Sequence, residues 1–217
     1  PRLAERYREH DMPAGWILPN DGYGCGYVEL EWVVKKLAAL GFYTGLWTEK
    51  GLKDAAWEVG VAGTRVRKLD VAWTGPAYQF ALEANRQAWE SIVRNSESRG
   101  FVWTVQGWAG THRYAICWTG DQYGSWDLIR YHIPTLIGSG LSGQAYATTD
   151  IDGIFGGSPE TYTRDLQWKC FTPVLMGMSG LTGLLRLLFF RVQARLPKPF
   201  APVRVAIVGL GEDAHAL

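Results

Sequence analysis

The chain has 217 residues, of which 47% are hydrophobic and 20% are charged, and its formal net charge at pH 7 is +1. These proportions are typical of a globular domain and argue against the strongly basic surface that binds nucleic acid. Eleven tryptophans and ten tyrosines exceed what a core of this size needs, and they favour a carbohydrate cleft, although barrel packing and protein interfaces also use aromatic side chains.

In chain order, short apolar runs alternate with glycine- and acid-containing stretches and amphipathic segments. We predict a strand and loop over 14–24, a helix over 29–41, strands over 42–51 and 64–75, a helix over 78–96, strands over 101–110 and 113–121, a helix over 126–140, a short strand and glycine-rich loop over 141–157, a helix over 160–171 and a last strand over 172–180. This alternation predicts an α/β fold with a parallel sheet, either open and doubly wound or closed as a (β/α)8 barrel.

Acidic side chains follow the predicted strands at their carboxyl ends. They are Asp21, Glu49, Asp70, Asp121 and Asp150. A barrel brings all such ends to one mouth, whereas an open sheet spreads them along a crevice, so we favour the TIM barrel. Only seven strands can be counted, and we therefore expect an incomplete barrel with about strands 2–8.

Asp70 and Asp121 end strands that lie two positions apart in the predicted barrel. Two carboxyl groups ~5–5.5 Å apart are the machinery of a retaining glycosidase. Aspartates at strand ends more often cap helices or bind loop amides, and Asp121 stands shortly before the predicted helix 126–140. The spacing alone leaves both interpretations open.

Other motifs are weaker. Arg113 could pair with a carboxylate or be a surface residue, and the isolated His112 and His132 fit satisfied or solvated side chains better than ligands. The widely spaced cysteines, without a CxxC pair, predict neither a disulfide framework nor a zinc site. The run VAIVGLG at 205–211 resembles the start of a dinucleotide-binding turn, but it lacks the third glycine.

Two stretches in tandem resemble the barrel domain of glycoside hydrolase family 31, a family of retaining α-glycosidases and transglycosidases. They are HRYAICWTGDQYGSWDLIRYHIPTLIGSGLSG at 112–143 and TTDIDGIFGGSPETYTRDLQWKCFTPVL at 148–175. The resemblance covers roughly residues 5–180. It implies a (β/α)8 barrel that hydrolyses terminal α-linked sugars through a covalent glycosyl-enzyme.

The resemblance also implies roles for individual residues. Asp70 in RKLDVAW matches the nucleophile, and Asp121 after W-x-G matches the general acid/base. The side chains expected to bind the sugar are Asp21, Trp47, Glu49, Trp73, Arg113, Trp118, Asp150, Phe155 and Met178. The implied chemistry needs no cofactor or metal. The implied partners are an oligosaccharide or glycoconjugate substrate and the remaining domains of a longer parent chain, with no nucleic acid and no membrane span.

Some positions depart from the family pattern. PVLMGMS puts Met176 and Met178 where most members carry an arginine and a sugar-contacting histidine, and Asp152 replaces the first glycine of D-I-G-G-F. A methionine wall suits an acetamido methyl better than a free hydroxyl. We therefore hypothesise an α-linked N-acetylgalactosamine glycone, as in the branch that resembles bacterial α-N-acetylgalactosaminidases. The alternatives are an α-glucosidase or α-transglucosidase of the same family, or a carbohydrate-binding barrel without catalysis.

The family resemblance ends near Gly180. We expect one domain over 1–180, the partial barrel, and a non-matching tail over 181–217 that is either frameshifted or disordered, with a divergent helix and linker as the alternative. The residues past about 181 should pack poorly or only through nonspecific apolar contacts. Together with the expected lack of the first strand, this would leave strand edges of the barrel unpaired. The N-terminus has no initiator methionine and no signal pattern, so the compartment stays open. A glycoconjugate substrate would favour an extracellular or cell-surface location, and other substrates a cytoplasmic one.

Overall fold

The computed structural model describes residues 1–19, 26–48, 51–179 and 205–209. Its strands are β1 Trp16–Pro19, β2 Tyr43–Thr48, β3 Val66–Leu69, β4 Val102–Thr104, β5 Ala115–Trp118, β6 Ala147–Thr148, β7 Leu175–Ser179 and β8 Val205–Gly209. Its α-helices are α1 Arg2–Glu9, α2 Leu30–Ala39, α3 Asn85–Arg94, α4 Trp126–Leu141 and α5 Pro159–Lys169. Two π-helical turns, Ala56–Val61 and Phe80–Ala84, and a 3-10 turn, Thr111–Arg113, complete the described elements.

The strands form one parallel sheet with the order β6-β5-β4-β3-β2-β1-β8-β7. A single parallel bridge between Asp150 and Met176 joins the segment after β6 to β7, and the Ile151 amide donates to the Met176 carbonyl at 2.9 Å. The sheet therefore closes on itself as a barrel. We call the end at which the strands finish the mouth, and among its residues are Thr48, Leu69, Thr104, Trp118 and Thr148.

The second strand that pairs with β1 was not predicted. The element before β1 is a helix, α1, and the described sheet contains eight strands where the sequence predicted seven. The expected unpaired edge is wrong, however, because β8 lies between β7 and β1, with Val205 opposite Leu175 and Ala206 opposite Trp16. The apolar, mostly β-branched run of β8 suits a strand, although its likeness to a nucleotide-binding turn was the only structural feature predicted for it. The other tail residues, 181–204 and 210–217, lie outside the described residues.

Alternation along the strands divides the side chains between two layers. On β3, Val66 and Lys68 point into the barrel, whereas Leu69 packs outward on the π-helical turn and α3. The interior cluster consists of Trp16, Leu18, Val66, Trp103, Ile116, Trp118, Ile154, Val174 and Met176. Three of these nine residues are tryptophans, so indole rings fill much of the barrel and part of the aromatic excess is structural.

The predicted helices all form, and the strands are shorter than their apolar runs. Helix α2 ends just before Gly41, whose φ of 75° favours glycine. Helix α4 continues through Pro134, where the sequence indicated a kink or restart. Helix α1, absent from the predictions, is tied to the barrel because Arg8 Nε donates to the Leu40 carbonyl at 2.7 Å. In the described ranges, no helix combines the length and apolar character needed to cross a membrane.

Candidate functional site

Strand β3 delivers Asp70 to the mouth of the barrel, where both of its carboxylate oxygens have partners. Trp47 Nε1, from β2, donates to Asp70 Oδ1, and Lys68 Nζ lies 2.9 Å from Asp70 Oδ2. The Asp70 side chain keeps 19% of its surface exposed. The carboxyl group is therefore fixed in direction while one side of it remains open to a ligand.

Lys68 lies in a cage of three indole rings, formed by Trp47, Trp103 and Trp118. Its Nζ is 5.8, 5.1 and 4.7 Å from the respective ring centroids, and its side chain is only 8% exposed. Aromatic faces attract a cation, which offsets part of the cost of removing the ammonium from water. The sequence analysis missed Lys68, although the alternation in RVRKLD puts it on the same face as Asp70.

Asp150 lies deeper in the barrel than Asp70. It is 2% exposed, and its Oδ2 accepts a hydrogen bond from Trp118 Nε1 at 2.7 Å. Its other oxygen, Oδ1, has no hydrogen-bond partner among the described residues. Trp118 is thus a buried support for Asp150 rather than the open sugar wall that the resemblance implied, and Asp150 presents a free acceptor.

Several neighbouring charges act on the Asp150 carboxyl group, and one of them is Asp121. Burial raises the pKa of Asp150 to about 6, the hydrogen bond from Trp118 and the charges of Lys169 and Lys68 oppose that rise, and the negative charge of Asp121 adds to it. Coulombic influence decays with distance. Lys68 and Asp121 therefore each act on the Asp150 carboxyl group through space.

A buried ion pair braces the loop that carries Asp150. Lys169 and Asp165, one helical turn apart on α5, are each 1% exposed and form a 2.5 Å pair. Lys169 Nζ also donates to the Asp150 carbonyl, and Asp165 Oδ2 accepts from the Asp152 amide at 2.6 Å. Burial lowers the pKa of Lys169 and the Asp165 charge opposes that change. The pair fixes the backbone on both sides of Ile151.

Asp121 is exposed, and it does not cap α4. The cap of that helix is Ser125, whose Oγ accepts from the Leu128 amide at 3.0 Å. No side-chain hydrogen bond or ion pair to Asp121 occurs within the described part of the chain. The helix-capping interpretation of Asp121 is therefore wrong for α4, and its carboxyl group is open to solvent or substrate.

His132, on α4, supports the residue that follows Asp121. Its Nε2 lies 2.8 Å from Gln122 Oε1 and 3.2 Å from Thr119 Oγ1. Burial, and next the charge of Lys169, lower the pKa of His132 to about 3, so the imidazole is neutral. The expectation of a satisfied histidine holds for Nε2 only, because the buried Nδ1 has no hydrogen-bond partner among the described residues. Within those residues no group of three or more metal-ligating side chains occurs.

Other predicted site residues lie elsewhere. Arg113 is exposed in the 3-10 turn before β5, so that strand separates it from the mouth, and its guanidinium lies 5.2 Å from the Tyr114 ring centroid. Trp73 packs against the outer cluster that contains Leu69. Phe155 is 55% exposed beside the mouth. Asp21, Glu49 and the side chain of Met178 lie outside the described residues.

A comparison with protein families agrees with the barrel fold. Residues 47–182 match the model of the glycosyl hydrolases family 31 TIM-barrel domain. The match covers more than half of the chain and includes Asp70, Asp121 and Asp150. The chain belongs to this family.

The relatives are longer proteins. The chain is 36% identical over 103 residues to an α-xylosidase of Saccharolobus solfataricus and 37% identical over 98 residues to α-glucosidase 2 of Bacillus thermoamyloliquefaciens, with 44% of this chain covered in each case. It spans only 14% and 12% of those two relatives. The crystal structure of a family 31 α-glucosidase from Bacteroides thetaiotaomicron superimposes with a TM-score of 0.66 at 18% identity, over 79% of this chain and 42% of that one. This last likeness shows the fold alone.

Proposed function

We propose that the chain carries the catalytic centre of a retaining α-glycoside hydrolase, with Asp70 as nucleophile and Asp121 as general acid/base. The observation that carries the proposal is the contrast between these two acids at one barrel mouth. Asp70 is held by Trp47 and Lys68, whereas Asp121 is exposed and its charge acts on the neighbouring Asp150. A fixed anion and an accessible acid are the two groups that double displacement requires.

In the first step an oxygen of Asp70 attacks the anomeric carbon of the sugar. The bond from that carbon to the leaving oxygen breaks, its electron pair goes to that oxygen, and Asp121 supplies the proton. The product is an ester between Asp70 and the sugar, together with a free aglycone. The Trp47 indole and the Lys68 ammonium hold the attacking carboxylate in place, so little reorientation precedes the attack.

In the second step a water molecule attacks the anomeric carbon from the side that the aglycone has left. Asp121, now a carboxylate, accepts a proton from this water, and the ester bond to Asp70 breaks. Two inversions restore the α configuration. A sugar hydroxyl in place of water would give transglycosylation by the same steps.

Asp150 is the residue we assign to recognition of the bound sugar. Its buried Oδ1 has no partner among the described residues, and a hydroxyl donor would satisfy it. Lys169 and Trp118 hold the residue from its backbone and its other oxygen. An apolar or deoxygenated sugar at this place would leave the acceptor unsatisfied and should bind more weakly.

Two hypotheses for the identity of the glycone remain. The names of the relatives, α-xylosidase and α-glucosidase, favour a gluco- or xylo-configured sugar. The methionines at 176 and 178 favour N-acetylgalactosamine, but Met176 is fully buried in the interior cluster, so this hypothesis rests on Met178. Turnover of nitrophenyl α-glucoside, α-xyloside and N-acetyl-α-galactosaminide, measured side by side, identifies the glycone.

Covalent trapping tests the proposed mechanism. A 2- or 5-fluoro glycosyl fluoride of the preferred sugar should form a stable adduct, and peptide mass spectrometry should find it on Asp70. The Asp70→Asn variant is the matched control and should not be labelled. Turnover without an adduct, or an adduct on another carboxylate, would contradict the proposal. Sugar binding without any turnover would favour a carbohydrate-binding barrel.

A further inference from the structure

A short loop carries Asp121 from the end of β5 at Trp118 to the start of α4 at Trp126. We call residues 119–125 the acid/base loop. Asp121 is exposed there, and its side chain has no hydrogen bond or ion pair within the described ranges. The place of its carboxyl group is therefore set by the conformation of the loop and not by side-chain contacts of its own.

A buried histidine reaches back from α4 to this loop. His132, in the second turn of α4, is fully buried, and its Nε2 lies 2.8 Å from Gln122 Oε1 and 3.2 Å from Thr119 Oγ1. Thr119 Oγ1 donates to the same Gln122 oxygen at 3.1 Å. An amide oxygen can only accept, so Nε2 carries the imidazole proton in this arrangement. The ring thus ties a residue before Asp121 to the residue that follows it.

The loop after β6 holds Gln122 by its backbone. The Phe155 amide donates to the Gln122 carbonyl at 3.2 Å, and Tyr123 pairs with Gly153 in an antiparallel bridge. A Cβ on Gly153 would lie 2.3 Å from the Gln122 carbonyl oxygen, a clash with backbone that no flexible side chain could relieve. Gln122 is therefore fixed both at its carbonyl and at its side-chain oxygen, which leaves the backbone beside Asp121 little freedom.

Packing alone does not explain a histidine at position 132. Its Nδ1 is buried and has no hydrogen-bond partner among the described residues. An apolar side chain would fill the same space without leaving a polar atom unsatisfied. The gain from the imidazole lies in the hydrogen bonds of Nε2 to the acid/base loop.

The neutral state of His132 suits a residue that supports a proton donor. Burial, and next the charge of Lys169, lower the pKa of His132 to about 3. A charged imidazolium beside the acid/base loop would favour the ionised form of Asp121, whereas the proposed first step needs the protonated form. The neutral ring fixes the loop without adding that charge.

We propose that His132 is a positioning residue for the general acid/base: by bonding to Gln122 and Thr119, it sets the place of the Asp121 carboxyl group relative to the leaving oxygen of the substrate. The inference rests on the proposed function, in which Asp121 transfers the proton. It adds a residue that touches neither the sugar nor the reacting atoms. An acid displaced by about 1 Å transfers its proton less well, and the loss is greatest where the leaving group most needs that proton.

A series of aryl α-glycosides tests the positioning role. The glycone is the one identified with the nitrophenyl substrates, and the aryl group runs from dinitrophenyl to phenyl, so the ring stays and its need for a proton rises. In His132→Asn, kcat/KM for the phenyl glycoside should fall roughly ten- to a hundredfold relative to the dinitrophenyl glycoside, because the shorter amide reaches only to the place of Nδ1. His132→Gln, whose amide reaches the place of Nε2, should recover much of the wild-type ratio.

Two further variants separate positioning from stability. Asn85 is, like His132, a fully buried polar residue, and its Nδ2 donates to the Ala81 carbonyl. Asn85→Ala is the matched control, which should lower the melting temperature and leave the ratio unchanged. Gln122→Ala, at a half-buried position, removes the acceptor on the loop side and should shift the ratio as His132→Asn does. The double variant should lose little more than either single variant.

The same series in Asp121→Ala distinguishes this inference from the proposed function. That variant should show the steepest dependence on the leaving group. If it does so while His132→Asn and Gln122→Ala keep the wild-type ratio, the positioning role is overturned and the proposed function stands. If Asp121→Ala also keeps the wild-type ratio, both are overturned. Should His132→Asn fail to fold, the ratio in Gln122→Ala decides.

Discussion

The two acids proposed for catalysis have opposite surroundings. Asp70 is held at both oxygens by Trp47 and Lys68, beside a cage of indole rings. Asp121 lies in an exposed loop and has no side-chain partner in the described part of the chain. The comparison teaches that the barrel gives the two acids different environments that suit their proposed roles. A nucleophile gains from a fixed, ionised carboxylate, whereas a group that donates and accepts protons must remain accessible.

Removing the nucleophile should have the largest effect. Asp70→Asn cannot form the ester, and we expect turnover to fall by roughly 10⁴-fold or more. Steady-state kinetics on a nitrophenyl glycoside measure the loss. Asp127→Asn, a change at an exposed carboxylate of α4, should keep wild-type activity because the surface pair with Arg130 contributes little. Substantial activity in Asp70→Asn would remove the basis of the comparison.

Removing the acid/base should have an effect that depends on the leaving group. Asp121→Ala should lose roughly 10²–10⁴-fold in turnover of a disaccharide, which needs a proton on its leaving oxygen. The first step with a glycosyl fluoride or a dinitrophenyl glycoside should be largely spared. Burst kinetics separate the two steps, and added azide should accelerate the second by attacking without general-base help. Equal losses on all leaving groups would show that Asp121 is not the proton donor.

Removing the Lys68 ammonium group should have an intermediate effect on kcat/KM. Lys68→Met leaves Asp70 without its ionic partner, and we expect kcat/KM to fall roughly a hundredfold. The pKa of Asp150 should rise further, since Lys68 is one of the charges that lower it. The pH dependence of kcat/KM provides the measurement, and Lys68→Arg, which keeps the charge, should recover part of the activity. A Lys68→Met enzyme with the wild-type rate would show that the Trp47 hydrogen bond suffices.

Neutralising Asp150 removes no group of the proposed double displacement, and we expect its main effect on the free energy of unfolding. Folded Asp150 keeps its proton up to a pH of about 6, against 3.8 for an ordinary aspartate, so the wild type loses stability as the pH rises through this window. The groups that act on it are Trp118, Lys169, Lys68 and Asp121. Asp150→Asn should gain up to roughly 3 kcal/mol over the wild type at pH 7, and the gain should vanish below pH ~4.

Thermal unfolding at a series of pH values, for the wild type and Asp150→Asn, provides the data. Asp127→Asn is again the control, because its carboxylate is exposed and its surface pair with Arg130 contributes little to stability. A gain for Asp150→Asn that is the same at pH 4 and pH 7 would show that the change acts through packing and not through charge.

The sequence predicted the fold class and three of the acids because period-two alternation and strand ends are local signals. Lys68 could have been predicted from the same alternation, but a lysine in a strand is ordinarily assigned to the surface. Arg113 was assigned from its distance along the chain to Asp121, which does not say that β5 lies between them. The cap at Ser125 could have been predicted, because a serine directly before an amphipathic run is a helix-start signal. The contact between Tyr123 and Phe155 depends on loop geometry, which residue patterns do not encode.

Strand β8 brings Val205–Gly209 against Trp16–Pro19, so the ring contains a contact between segments almost 190 residues apart. Such long-range pairing slows folding, because the intervening chain must be ordered before the contact can form. During synthesis, the ribosome has to release Gly209 before β1 can acquire its second neighbour. Until then the edges of β1 and β7 that β8 covers are open to other nascent chains, and chaperone protection during translation should raise the yield of closed barrels.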